Sequence, residues 1–376
     1  MLSTILHLTT VHPRTDTRIF IKEAQTLTSN LPHKVLLMVA DGKGNVDEEQ
    51  DLVSIHDLGN LGDGRLGRML RGPWRAFFAI SKIKPAIVHF HDPELLPLGL
   101  LLKVIGYMVI YDVHEDVPRQ TLSKHYLPWI IQKPLAWVIS AVEWCGAKTF
   151  NAIVPATPKI AEQFPVSKTI TIQNFPIAAE LLNPSPIPYI ERPKSFAYVG
   201  VIAITRGAIE MIRAFEHLKH ISGARLELVG EFSPSSLEDA LRVLPGWVSV
   251  HFHGQVSRAQ VAQIMGQARA GMVLFHPLPN HIDAQPNKMF EYLSAGLPVI
   301  ASDFPLWRRI IDGAGCGLLV DPLNPKAIAE AMRWILDHPA EAEAMGQRGR
   351  QAAEHTYNWN TEAIKLVGLY KKLLGA

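Results

Sequence analysis

Short apolar runs rich in branched residues recur along the chain, and most are followed by a stretch long enough for a helix. This alternation is typical of a parallel sheet whose strands are connected by helices. The predicted strands of the first half are residues 5–8, 35–39, 87–91, 108–113 and 152–154. Those of the second half are residues 196–199, 226–229, 248–252, 271–275, 298–301 and 317–320. The pattern predicts an α/β protein with two doubly wound units.

Proline marks the boundary between the two units. Prolines alternate with other residues over 183–188, after the run Asn174-Phe175-Pro176. Because proline resists both a helix interior and a central strand, we place a linker at residues 174–194. An N-terminal domain of residues 1–173 and a C-terminal domain of residues 195–359 are predicted on either side. Helices are predicted over residues 325–338, 339–356 and about 360–374.

Composition narrows the class of protein. The 376 residues suffice for two domains, and 48% hydrophobic with 19% charged residues indicate globular cores. The net charge of +2 argues against a nucleic-acid partner. Cys145 and Cys316 form no metal or disulfide motif, which favours a cytoplasmic protein. The chain shows no signal peptide and no run of about 18 apolar residues, so we expect any membrane contact to be peripheral.

Residues 283–301 carry the strongest chemical signal. They predict a loop, a short helix and a strand, and they follow a strand that ends at His276. Such a loop lies at the carboxyl edge of the sheet, where open α/β folds bind ligands. Free amides at the helix start, with Lys288 beside them, would bind a diphosphate. Glu291 could accept hydrogen bonds from a ribose, and Asp283 could hold sugar hydroxyls.

The run Pro286-Asn287-Lys288, followed by Phe290-Glu291-Tyr292, resembles the donor motif of family 4 glycosyltransferases. Further motifs follow in the order of that family: Tyr198-Val199-Gly200, Arg206-Gly207, Leu228-Val229-Gly230 and Phe252-His253-Gly254. The resemblance implies the GT-B fold, with two Rossmann-like domains whose parallel sheets face a central cleft. Trp359 and Tyr370 fit the last helix of the family, so residues 360–376 are expected to pack back on the N-terminal domain.

The resemblance also implies the donor site. The expected donor-binding residues are Gly200, Arg206, Gly230, Gly254, Asn287, Lys288 and Glu291, with Asp283 as a catalytic residue. Two positions depart from the family pattern, because Asp283 replaces the usual glutamate and Val201 stands where many members have arginine. Arg206 and Lys288 would then share the diphosphate charge. The chain contains no Asp-x-Asp triplet, and we expect neither a metal nor another cofactor.

In the first half, three predicted strand ends bring histidines and carboxylates to one edge: residues 7–14, 89–94 and 112–116. A helix over residues 19–28 is predicted after the first. By the same resemblance, His114 lies beside the reacting sugar as a catalytic residue. His12, Arg14 and Glu115 are expected to bind the acceptor.

The resemblance further implies transfer with retention of anomeric configuration, by front-face attack on an oxocarbenium-like sugar. The acceptor would be a glycan or a lipid-linked molecule, in the synthesis of a bacterial surface polysaccharide. Basic and aromatic residues alternate over 65–78, and residues 129–144 add Trp137. Both stretches favour contact with an anionic membrane surface, and the alternative is that they pack on their own domain.

Other interpretations stay open. Lys288 and Glu291 could be solvated charges at a helix start, Arg206 a surface charge, Asp283 a turn residue and His114 a structural histidine. A non-hydrolysing sugar-nucleotide epimerase would isomerise the donor without an acceptor. A catalytically silent partner would bind the donor without turnover. Residues 62–67 match GxGxxG, but the glycines do not follow a first strand, which argues against a dinucleotide-dependent oxidoreductase.

Overall fold

The computed structural model describes residues 3–46, 53–62, 64–122, 128–181 and 187–375. The chain forms two compact units. Unit 1 comprises Met1–Asn174 and Glu362–Ala376, and unit 2 comprises Phe175–Thr361. Residues 182–186 of the predicted linker lie outside the described residues.

The sheet of unit 1 has six parallel strands in the order β3-β2-β1-β4-β5-β6. The strands are β1 (Thr4–Leu8), β2 (Lys34–Val39), β3 (Val53–Asp57), β4 (Ile87–Phe90), β5 (Met108–Val113) and β6 (Ala152–Pro155). The five strands predicted from the sequence are present. The prediction omitted β3, an edge strand in which Ser54 and His56 interrupt the apolar residues.

The helices of unit 1 begin with Thr17–Ala24, which has π-type turns and continues into α1 (Gln25–Asn30). The others are α2 (Arg65–Ile83), α3 (Leu96–Val104) after a 3-10 turn at Pro93–Leu95, α4 (Val117–Leu122), α5 (Trp129–Thr149) and α6 (Pro158–Ala161). The first helix starts two residues before the predicted 19–28, because the Asp16 carboxylate caps it by accepting from the amides of Arg18 and Ile19.

The sheet of unit 2 also has six parallel strands, in the order β12-β11-β10-β7-β8-β9. The strands are β7 (Ser195–Val199), β8 (Arg225–Val229), β9 (Val250–Gly254), β10 (Ala270–Val273), β11 (Val299–Ser302) and β12 (Gly317–Val320). The strand predicted over 248–252 begins later, because Pro245–Ser249 forms a 3-10 turn instead.

The helices of unit 2 cover both faces of this sheet with apolar side chains. They are α7 (Ala208–Ala214), α8 (Leu237–Arg242), α9 (Arg258–Gln267), α10 (Pro279–Ile282), α11 (Asn287–Ser294), α12 (Pro305–Ala314), α13 (Pro325–Asp337) and α14 (Pro339–His355). Shorter 3-10 turns are Ala178–Leu181, Tyr189–Glu191, Ile204–Arg206 and Phe215–Leu218.

The last helix, α15 (Trp359–Leu374), joins unit 1 although its chain arrives from unit 2. It buries Leu366, Leu369 and Tyr370. The Glu362 carboxylate accepts from the amide of Gln173 at 2.9 Å. None of the helices in the described part of the chain is long and apolar enough to cross a membrane.

In each sheet the strand order reverses at one point, between β1 and β4 in unit 1 and between β7 and β10 in unit 2. Successive connections leave such a point toward opposite faces, which opens a crevice at the carboxyl ends of the strands. The loops after β1, β4 and β5, and those after β7 and β10, are therefore the natural places for ligand-binding residues.

Candidate functional site

The start of α11 forms one half of the candidate site in unit 2. Asn287 is the first residue of this helix, and Pro286 before it supplies no side-chain cap. The first turn thus presents backbone amides with the positive end of the helix dipole, which attracts anions.

Lys288 lies in the first turn of α11 and is buried. Within the described residues, its Nζ has no hydrogen-bond partner, and it lies 3.5 Å from the centre of the Tyr198 ring. Burial first, and then the charge of Arg206, lower the pKa of Lys288 well below its ordinary value, against the opposing effect of Glu291. An unpaired buried ammonium is costly, so the position suits an anionic ligand.

Three predicted donor-binding glycines lie on neighbouring loops, and one of them, Gly200, adjoins this lysine. Gly230 has φ +135°, and a Cβ there would lie 2.1 Å from the carbonyl oxygen of Gly200, so no larger residue fits. The Gly200 amide donates to Val229 at 2.9 Å, and the Gly230 amide donates to Gly254 at 2.8 Å. A Cβ on Gly200 would lie 3.3 Å from Lys288 Nζ, so this loop and Lys288 adjoin.

Two other predicted donor residues lie near the same lysine. The Arg206 guanidinium lies 5.4 Å from the centre of the Phe275 ring, and its charge acts on Lys288. Glu291 Oε1 accepts a hydrogen bond from the Arg258 guanidinium at 2.8 Å. The structure thus brings Gly200, Arg206, Lys288 and Glu291 together.

Asp283 follows the last residue of α10, four positions before α11 begins. The loop between the two helices is held by Trp307, whose indole N–H donates to the carbonyl of Ala284 at 2.7 Å. Asp283 is half-buried in this loop. Asp283 lies near the start of α11 because only three residues separate it from Asn287.

In unit 1, Asp112 is the centre of a buried polar cluster at the end of β5. Its carboxylate accepts from Arg18 at 3.0 and 2.8 Å, from His91 Nδ1 at 2.9 Å and from His114 Nε2 at 3.0 Å. Burial opposes its ionisation, but Arg18 and His114 outweigh this effect and hold the pKa of Asp112 well below its usual range. Asp112 is therefore ionised at neutral pH, and its carboxylate accepts a hydrogen bond that orients His114.

Further histidines extend this cluster across neighbouring strands. His7 on β1 and His89 on β4 are paired in register, and His91 follows directly after β4. Burial lowers the pKa of all three below the ordinary value, so they are neutral. Glu23 lies beside them, and burial, followed by the charge of Asp112, raises its pKa well above the usual range.

The three residues predicted to bind the acceptor have different partners, and His12 is the one that contacts His114. The ring centres of His12 and His114 are 4.9 Å apart. A hydrogen bond to Asp16 is the main reason why the pKa of His12 is raised. Arg14 instead makes a bidentate ion pair with Asp41, at 2.8 and 2.6 Å. Glu115 accepts from the side chain of Gln120.

Comparison with known proteins bears first on unit 2. Residues 185–352 match the family model of glycosyl transferases group 1. The chain is 21% identical to the MMP alpha-(1->4)-mannosyltransferase of Mycolicibacterium hassiacum, over 76% of this chain and 70% of that protein. It is 24% identical to the glycogen synthase of Mycobacterium tuberculosis, over 76% of this chain and 69% of that protein.

Solved structures match over almost the full length. Sucrose-phosphate synthase from Thermosynechococcus elongatus superposes with a TM-score of 0.78 at 16% identity, covering 99% of both chains. The Anabaena protein HepE, in complex with UDP-glucose, superposes with a TM-score of 0.74 at 12% identity, covering 98% of this chain and 100% of that one.

The match to the model of glycosyl transferases group 1 lies entirely within unit 2. The whole chain has the GT-B fold, which confirms the fold class predicted from the sequence. It is a transferase, and its structural neighbours bind UDP and UDP-glucose.

Several residues of this glycosyltransferase were given no role of their own in the sequence-based prediction of the site. They are Arg18, Glu23 and Asp112 in unit 1 and Arg258 in unit 2. Asp112 offered one signal, because it interrupts the apolar run of residues 108–113 and a buried charge requires a partner. Arg258 offered none, since an exposed arginine on a helix is ordinary.

Three groups of residues in the described part of the glycosyltransferase place possible metal ligands close together. They are His7, Glu23, His89 and His91; His91, Asp112 and His114; and Glu227, His251 and His253. In the first two groups, imidazole nitrogens already bond to Asp112 or to the Tyr370 hydroxyl. The expectation that transfer needs no metal stays a prediction.

Proposed function

We propose that the protein is a metal-independent, retaining glycosyltransferase. It moves a sugar from a nucleotide-diphosphate sugar to a glycan or lipid-linked acceptor, in the synthesis of a bacterial surface polysaccharide. One observation carries the proposal: Lys288 is a buried cation without a hydrogen-bond partner in the described chain, at a helix start beside a glycine turn. A diphosphate would supply the missing negative charge.

The donor would lie along the carboxyl ends of β7, β8 and β9. Lys288, Arg206 and the α11 amides would hold the diphosphate, and the absence of a side chain at Gly200 would let it approach the backbone. Glu291, oriented by Arg258, would accept from the ribose hydroxyls. The remaining proposed donor contacts are Asn287, Gly230 and Gly254.

In the reaction, the bond from the anomeric carbon to the diphosphate breaks with its electron pair on the diphosphate oxygen. The acceptor oxygen bonds to the same face of that carbon and passes its proton to the departing diphosphate. Lys288 and Arg206 would stabilise the growing charge. His114 and Asp283 would contact the sugar, and His12, Arg14 and Glu115 would bind the acceptor. Positioning of the two substrates supplies a large part of such catalysis.

The first test is release of nucleoside diphosphate from a panel of UDP-, GDP-, dTDP- and ADP-sugars, in a chelator, with and without lipid extract. We expect release from one donor, reduced about 100-fold or more in Lys288→Ala and Glu291→Ala. Lys326→Ala is the matched control, because Lys326 is also the second residue of a unit 2 helix but is exposed.

Each alternative gives a different result in this assay. Binding without release from any donor would favour a silent partner. Isomerisation of the sugar without an acceptor would favour an epimerase. Activity that disappears in chelator and returns with a divalent metal would refute metal independence. Analysis of the anomeric configuration of the product tests retention.

We also propose that unit 1 contacts an anionic membrane surface through α2, α3 and α5. Along the chain, the strands β1, β2 and β3 are added toward one edge of the sheet, whereas β4, β5 and β6 are added toward the other edge. Because the connections between parallel strands are right-handed, the helices that precede β4, β5 and β6 all lie on the same face of the sheet. Of the tryptophan side chains that the structure describes, the exposed ones are Trp74, Trp137 and Trp144, all on this layer.

The charge of the layer formed by α2, α3 and α5 also favours an anionic membrane surface. The basic residues of its helices are Arg65, Arg68, Arg71, Arg75, Lys82, Lys103, Lys133 and Lys148. Its one acidic residue, Glu143, is buried, and burial raises the pKa of Glu143 to about 7. The whole chain, by contrast, balances 37 basic against 35 acidic residues. Clustered cations with exposed tryptophans suit anionic headgroups.

Co-sedimentation with vesicles tests this contact. We expect binding at low salt to phosphatidylglycerol-containing vesicles and much weaker binding to pure phosphatidylcholine. The double variant Arg71→Glu, Lys133→Glu should lose it, whereas Lys219→Glu, Lys326→Glu in unit 2 should retain it at the same net charge. No binding to either vesicle at low salt would end the proposal.

A further inference from the structure

A line of hydrogen bonds runs through the buried cluster of unit 1 from α15 to His114. The Tyr370 hydroxyl lies 2.8 Å from His89 Nδ1 and 3.3 Å from His7 Nε2. His7 Nδ1 lies 3.0 Å from His91 Nε2. His91 Nδ1 and His114 Nε2 both meet Asp112 Oδ2, at 2.9 and 3.0 Å. His7 and His91 use both ring nitrogens in the line, whereas His89 and His114 each use one, so the protons can be assigned from one end.

The assignment starts at Asp112. Its carboxylate is ionised and paired with Arg18, so it can only accept hydrogen bonds. Two imidazole nitrogens face Asp112 Oδ2, which also accepts from Arg18 Nε, and a nitrogen lone pair at this oxygen would be repelled. His91 Nδ1 and His114 Nε2 must therefore both carry a hydrogen.

The remaining protons follow in order, because each buried histidine is neutral and has one N–H. His91 Nε2 is then an acceptor, so His7 donates from Nδ1 and accepts at Nε2. The Tyr370 hydroxyl must donate to His7, and it accepts from His89 Nδ1. This leaves a lone pair on His89 Nε2, an atom that has no hydrogen-bond partner among the described residues.

We infer that Asp112 sets the tautomer that His114 adopts whenever its ring is neutral, with the hydrogen on Nε2, so that Nδ1 is then a hydrogen-bond acceptor for a sugar hydroxyl. Asp112 is thus a positioning residue, and Arg18 holds it. The role assigned to His114 rests on the proposed function. The tautomer itself rests only on the geometry of unit 1. His114 is partly exposed, whereas Asp112, His91 and His7 are fully buried.

Nitrogen-15 NMR of the full-length, histidine-labelled protein tests the tautomer directly. At a pH where His114 is neutral, we expect its hydrogen on Nε2 and an unprotonated Nδ1. His114→Gln identifies the resonances. A wild-type His114 with its hydrogen on Nδ1 would overturn the inference, and this measurement needs neither activity nor a variant of the cluster.

Asp112→Asn provides the second arm, because an amide can donate as well as accept. We expect a mixture of His114 tautomers and a fall in kcat of about 10- to 100-fold, with little change in the donor KM. Asp112→Asn should add no further loss to His114→Gln, since it acts through that ring. Tyr107→Phe elsewhere in unit 1 is the control.

The two proposals can fail separately. An Nε2–H tautomer in a protein without transferase activity would refute the proposed function alone. Full transferase activity with His114 protonated on Nδ1 would refute the inference alone. If Asp112→Asn does not fold, the wild-type spectrum still decides.

Discussion

The buried Lys288 Nζ lies over the Tyr198 ring but has no hydrogen-bond partner among the described residues. The sequence predicted a lysine at a helix start but not its burial, because burial depends on Tyr198 and Gly200, about 90 residues earlier in the chain. Asp112 is the reverse case, because the sequence signalled a buried charge without identifying its partner, Arg18. At both positions the sequence indicated a charged residue of interest, but it did not indicate which distant residues would surround it in the fold.

The lowered pKa of Lys288 predicts a dependence of stability on pH. Between this value and the ordinary lysine pKa, the unfolded chain binds one more proton than the folded one, so this group makes stability rise with pH. Lys288→Met should remove the rise, and Lys326→Met should not. Urea unfolding across the alkaline range measures this, and identical slopes in all three proteins would contradict it.

Binding of the donor diphosphate should raise the pKa of Lys288 again. A diphosphate beside Nζ favours the ammonium form, so binding of the matching nucleoside diphosphate above the lowered pKa should take up as much as about one proton. Calorimetry in buffers of different ionisation enthalpy measures the uptake. Its persistence in Lys288→Met would show that another group is responsible.

Replacing glycine by alanine should change the free energy of unfolding in opposite directions at Gly230 and at Gly313. Gly230→Ala should destabilise unit 2 by about 2 kcal/mol or more, since its Cβ would collide with the Gly200 carbonyl. Gly313→Ala, at an exposed position of helix α12 with open space around the new Cβ, should stabilise by about 0.5–1 kcal/mol. Denaturant unfolding of both variants decides, and equal signs would contradict the geometry.

Among the elements, strands with continuous apolar runs were predicted well and exceptions have local causes. β3 was not predicted because polar and apolar residues alternate in this edge strand. β9 begins at Val250, later than predicted, because the chain from Pro245 to Ser249 forms a 3-10 turn. The π-type turns of Thr17–Ala24 could not be predicted, because helix periodicity describes only regular turns. Such turns place Arg18 and Glu23 in the buried cluster.

Helix caps offer a matched test at this scale. Ser257 forms a capping box with Gln260 at the start of α9, whereas Ser236 precedes α8 without a side-chain cap bond. Ser257→Ala should cost about 1 kcal/mol, and Ser236→Ala should stay within about 0.5 kcal/mol. Equal costs in thermal unfolding would show that the capping bonds contribute little.

For the whole molecule, two doubly wound units could be predicted from strand rhythm alone, and the GT-B fold confirms them. The packing of α15 on unit 1 could not be predicted in this way, because the apolar residues of this helix do not show which unit they pack on, and only family resemblance suggested their partner. The structure buries Leu366 and Tyr370 there but leaves Ile364 exposed.

Leu366→Ala should therefore cost about 2–5 kcal/mol and speed amide hydrogen exchange in β1 and β4 without changing exchange in unit 2. Ile364→Ala, on the exposed face of the same helix, should stay within about 0.5 kcal/mol. Faster exchange in β7 and β10 instead would mean that α15 supports the other unit.

The path of α15 also orders events on the ribosome. Unit 1 emerges first, yet it stays incomplete until Glu362–Ala376 have been translated, after all of unit 2. Until then, the surface of unit 1 that Leu366 covers is exposed to solvent. His7 on β1 and His89 on β4 also lack their hydrogen-bond partner, the hydroxyl of Tyr370. Termination between Thr361 and Leu366 would thus leave a complete unit 2 attached to an incomplete unit 1, a substrate for cellular quality control.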